Sequence, residues 1–122
     1  MKNILVFDED KLLATSLNNN EFGSFCFDVV VDEKTARYAI GTESYDAIIV
    51  NANRSKNQLY SKVLDAIDEK NDLPVVFLVP DDKVCMHECL FYCALLHKPV
   101  SPQVICQKLV RLLEEAEVPI AI

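Results

Sequence analysis

Three acidic residues, Asp8, Glu9 and Asp10, stand in succession directly after the apolar run Ile4-Leu5-Val6-Phe7. Clustered carboxylates repel one another, so they call for a cation or a lysine beside them. Asn51 and Asn53 follow a second apolar run, Val79 closes another, and Lys98 comes just after a further one. Lys98 is the basic residue placed to supply the missing charge. A second constellation is built on sulfur: Cys85, Cys89 and Cys93 recur every fourth residue, and His97 continues the interval. On one helix these would form a thiol stripe, and Cys/His sets can bind Zn²⁺ or sense redox state. The spacing lacks the paired C-x₂₋₄-C hairpins of structural zinc sites, and residues 94–96 read as a strand, which breaks the register before His97. Small side chains packed against a sheet are the better account. Nothing in the chain pairs a nucleophile with a base and an orienting group, so no catalytic constellation is expected.

These residues need a frame to bring them together. Five short apolar, β-branched runs (residues 4–7, 27–31, 47–50, 75–79 and 94–96) alternate with segments of helical spacing. Continuous apolar runs of this length suit parallel strands covered on both faces. Leu13 and Leu17 mark the first helical segment, with Gly23 as its stop, and Ala36, Tyr38, Ala39 and Ile40 the second, closed by Gly41. Leu59, Val63 and Ile67 mark the third, and residues 83–92 the fourth, apolar nearly all round. The last starts at Ser101-Pro102, an N-cap followed by the position that proline tolerates best, and runs through Ile105, Leu109, Leu112 and Leu113.

A β-α unit repeated five times, joined by right-handed crossovers, predicts an α/β fold: a doubly wound five-stranded parallel sheet of order 2-1-3-4-5. The functional crevice of such a sheet lies beyond the carboxyl ends of strands 1 and 3. That rule sends Asp8, Glu9, Asp10, Asn51, Asn53, Val79 and Lys98 to one edge. It also excludes a flavin or dinucleotide binder, because a phosphate would meet three acids instead of a glycine- or hydroxyl-rich loop.

Composition narrows the remaining classes. The 122 residues make one domain, 51% hydrophobic and 25% charged, which fits a packed globular core. No apolar run approaches the roughly 20 residues of a membrane helix, and the acids after Phe7 are incompatible with a signal peptide. No membrane partner is expected on that ground, and a net charge of −7 disfavours nucleic acid. Five cysteines without a framework spacing read as reduced thiols of a cytoplasmic protein, mostly core packing.

At this point the chain, over about residues 2–115, resembles the receiver domains of two-component response regulators. Ile4-Leu5-Val6-Phe7-Asp8-Glu9-Asp10 is similar to that family's first strand and acidic pair. Tyr45-Asp46-Ala47-Ile48-Ile49-Val50-Asn51 resembles its third strand, whose last residue is normally the phosphorylated aspartate. Leu73-Pro74-Val75-Val76-Phe77-Leu78 resembles the fourth strand, and His97-Lys98-Pro99 the Lys-Pro motif. The resemblance implies a phosphorylation pocket in which Asp8 and Glu9 are the acidic pair and Lys98 the lysine.

The departures define what kind of member it would be. Asn51 replaces the acceptor, and an amide cannot form the acyl phosphate. Val79 stands where a hydroxyl residue would donate to phosphoryl oxygens, and Leu95 stands where a switching aromatic would be. The stretch from Leu78 to Lys98 is also shorter than the family pattern. The expectation is a degenerate pocket, with residues 1–117 as an atypical receiver and 118–122 as an apolar tail that could begin a further domain. No cofactor is expected: Asp8 and Glu9 could offer carboxylates to Mg²⁺ weakly, but an internal Asp8–Lys98 salt bridge is the favoured arrangement. The expected function is a phosphorylation-independent protein–protein interaction or localisation module in signalling or assembly. Its partner, or a second copy, would dock on the face of the fourth helix, fifth strand and fifth helix, where Met86, Leu90, Phe91 and Tyr92 are surplus apolar residues. The alternatives are a phosphotransfer receiver using Asp8 or Asp10 as substitute acceptor, and a cysteine-based redox or metal sensor.

Overall fold

The apolar runs form a single parallel sheet. In the structure, a computed structural model, residues 2–9, 13, 16–17, 25–51, 66–67, 69, 73–79, 93–97 and 99–117 are described. Its strands are β1 (Lys2–Phe7), β2 (Phe25–Val30), β3 (Ala47–Asn51), β4 (Val75–Val79) and β5 (Cys93–His97). They lie in the order β2-β1-β3-β4-β5, every neighbouring pair parallel. Strands β1 and β3 are central, and their burial shows it: Ile4, Leu5, Val6 and Phe7, then Ala47, Ile48, Ile49 and Val50, are all buried. Continuous apolar sequence is what a strand covered on both faces requires. Edge strand β2 instead alternates, with Cys26 and Asp28 exposed between partly buried Phe25, Phe27 and Val29.

Two helices are described over their length, α1 (Glu33–Thr42) and α2 (Pro102–Glu117). Helix α1 begins because Asp32 caps it: its Oδ1 accepts from the Thr35 backbone N–H at 2.7 Å and its Oδ2 from the Thr35 hydroxyl at 3.0 Å. Ala36, Ala39 and Ile40, at helical spacing, are its buried face. Gly41 lies inside this helix and does not stop it; the helix ends one residue later, where the Glu43 N–H bonds to the Ala39 carbonyl. Helix α2 opens as its sequence predicts. The Ser101 hydroxyl accepts from the Val104 N–H at 3.3 Å, and Pro102 takes the first helical position. Ile105, Cys106, Leu109, Leu112 and Leu113 are buried along one stripe. Burying each Leu or Ile contributes about 1.5–3 kcal/mol, so this stripe holds the helix in place far more than its propensity does.

The two faces of the sheet have separate cores. Leu5, Phe7, Ile48, Val50, Val75 and Phe77 pack with Ala36, Ala39 and Ile40 of α1 and with Ala66 and Ile67. Ile4, Val6, Ala47, Ile49, Val76 and Leu78 pack with Leu17 and the α2 stripe. Period-2 side-chain alternation along each strand divides the residues this way. Both faces are thus covered, and the arrangement is the layered α/β architecture that the alternating sequence demands.

At the amino edge, Asp46 locks β1 to the start of β3. Its N–H donates to the Asn3 carbonyl at 2.8 Å, and its Oδ2 accepts from the Asn3 N–H at 2.7 Å. Among the described residues, Cys106 is buried and Cys26 exposed, so core packing explains only the first. Cys93 lies in β5 with His97, so the four-residue interval of cysteines leaves helical register at Cys93 itself. Cys85, Cys89 and the tail 118–122 lie outside the described residues.

Candidate functional site

The carboxyl edge of the two central strands brings Asp8 and Asn51 together. Asp8 is the first residue beyond β1, and its N–H donates to the Val30 carbonyl at 3.0 Å, extending the β1–β2 pairing by one step. This carries its side chain over the top of the sheet, where it is fully buried. Asn51 is the last residue of β3, paired across the ladder with Leu78 of β4, and is also buried.

The two side chains are hydrogen-bonded. Asn51 Nδ2 donates to Asp8 Oδ1 at 3.1 Å, and the backbone N–H of Leu13 donates to Asp8 Oδ2 at 2.9 Å. A carboxylate only accepts, so Asn51 must turn its NH₂ end toward Asp8. Both oxygens of the acid are therefore engaged by neutral donors from two other segments, which is how a buried carboxylate avoids the penalty of an unmade bond. Leu13 is helical, and its N–H ties that segment to the end of β1.

The remaining site residues stand at the same edge to different degrees. Glu9 follows in a turn and is partly exposed. Val79 ends β4 opposite His97, and Leu95 lies in β5 opposite Phe77. Asp10, Asn53, Lys98, Met86, Leu90, Phe91 and Tyr92 lie outside the described residues, so the expected Asp8–Lys98 pair does too. The partnership of Asp8 with Asn51 was not foreseen from sequence, although both residues were assigned to the pocket. Leu13 was read only as an apolar residue of the first helical segment, because a backbone N–H leaves no trace in side-chain chemistry.

Mg²⁺ requires oxygen ligands. Asn51 presents an N–H, which cannot ligate, along the line to Asp8 Oδ1, while Asp8 Oδ2 faces the Leu13 N–H. Among the described residues there is no group of three or more His, Cys, Asp or Glu that could hold a metal ion.

No protein-family model matches the sequence, and no curated protein does. Among solved structures the likeness is consistent. The chain superposes on the N-terminal domain of a response regulator/sensory box/GGDEF three-domain protein from Carboxydothermus hydrogenoformans with a TM-score of 0.76 at 21% identity, covering 95% of this chain and 97% of that one. A CheY-like response regulator receiver domain protein from Methanospirillum hungatei gives 0.76 at 16% identity, covering 96% and 97%. The signal receiver domain of a LuxO repressor protein from Vibrio parahaemolyticus gives 0.78 at 15% identity, covering 95% and 92%. At these identities the likeness establishes the fold, which is that of receiver domains.

Proposed function

We propose that this chain is a receiver-fold module that works by protein contact, in signalling or assembly, without being phosphorylated. The observation that carries the reading is the buried Asn51 amide at the carboxyl end of β3, donating to Asp8 at 3.1 Å. An acyl phosphate forms when a carboxylate oxygen attacks a phosphoryl donor. The Asn51 amide has no such nucleophile, and its nitrogen is already committed as a donor. Asp8 lies within hydrogen-bond reach of Asn51, but both of its oxygens accept hydrogen bonds in a buried setting, which disfavours their use as an attacking group. Val79 supplies no hydroxyl to a phosphoryl group. The pocket holds one state, with no metal required, and the module presents its contact surface constitutively. The apolar residues Met86, Leu90, Phe91 and Tyr92 supply the core that such a surface needs, and an ordinary interface buries about 800 Å² on each partner.

Spectra of the ¹⁵N-labelled domain recorded with Mg²⁺ alone and with Mg²⁺ plus acetyl phosphate test this reading. The two should superpose. New amide positions at the ends of β1, β3 and β4 on adding the phosphodonor would overturn it.

A further inference from the structure

We draw no further inference here: the strongest candidate, the surface patch on the outward face of α1 around exposed Tyr38, mixes Lys34 and Arg37 with the exposed acids Asp32 and Glu43 at the helix ends, and nothing in the structure shows what covers it.

Discussion

Asn51 differs from aspartate by one donor group, and it stands buried against Asp8. Its NH₂ satisfies the buried Asp8 carboxylate without adding charge. Replacing it by aspartate would set two carboxylates about a hydrogen-bond length apart, and like charges so placed cannot both ionise without help. Asn51→Asp should therefore lose roughly 1–3 kcal/mol of stability in EDTA, the usual cost of leaving a buried polar group unsatisfied. The loss should be recovered on adding millimolar Mg²⁺, since a ligand at a hundred times its dissociation constant stabilises by about 2.7 kcal/mol. The parent's melting temperature should not respond to Mg²⁺. Thermal melts of both proteins, with and without the ion, check this; an aspartate variant as stable as the parent in EDTA would mean the pair is not a tight contact.

Among the elements, β2 is the strand most in need of attachment, since it lies at the edge of the sheet and all its residues are partly or fully exposed. The Tyr45 hydroxyl donates to Asp28 Oδ2 at 3.2 Å, joining the middle of β2 to the connection before β3. Burial of the phenol, then the negative charge of Asp28 and the hydrogen bond to it, push the Tyr45 pKa up to about 12. The folded state thus favours the neutral phenol. Its contribution is fully present below the ordinary tyrosine pKa of 10.0 and is lost as pH rises toward 12. In a phenolate absorbance titration one of the four tyrosines should ionise late, and Tyr45→Phe should remove that late component. A single transition near pH 10 would show that the Tyr45–Asp28 contact does not persist in solution.

Element identity was legible because the pattern and the burial have the same cause. Runs such as Ile4-Leu5-Val6-Phe7 are apolar throughout since both faces are covered, and Ser101-Pro102 announces α2 through cap chemistry. Strand ends were less legible: β2 starts at Phe25, two residues ahead of the expected run, where backbone pairing with Lys2 and Asn3 takes in Phe25 and exposed Cys26. Gly41 read as a stop but is helical, because the Glu43 N–H, not a left-handed glycine, closes the last turn. At the site, topology alone placed Asp8 and Asn51 at one edge. Their direct bond leaves no trace in the sequence, where clustered acids call for a cation and Lys98 is the residue that offers one.

At the scale of the whole molecule, we propose that the receiver fold is kept without its phosphotransfer chemistry. The fold is retained to high coverage against receiver domains whose sequences share about a fifth of positions or fewer. What holds it is hydrocarbon on both faces of the sheet, independent of the carboxyl edge. At that edge the Asn51 amide and the Leu13 N–H both donate to Asp8. The most direct measurement is the intact mass of the protein after incubation with acetyl phosphate and Mg²⁺. The parent should show no phosphoryl adduct. An acid-labile adduct at useful stoichiometry would contradict the account, and mapping it to Asp8 or Asp10 would identify a working phosphotransfer domain with a substitute acceptor.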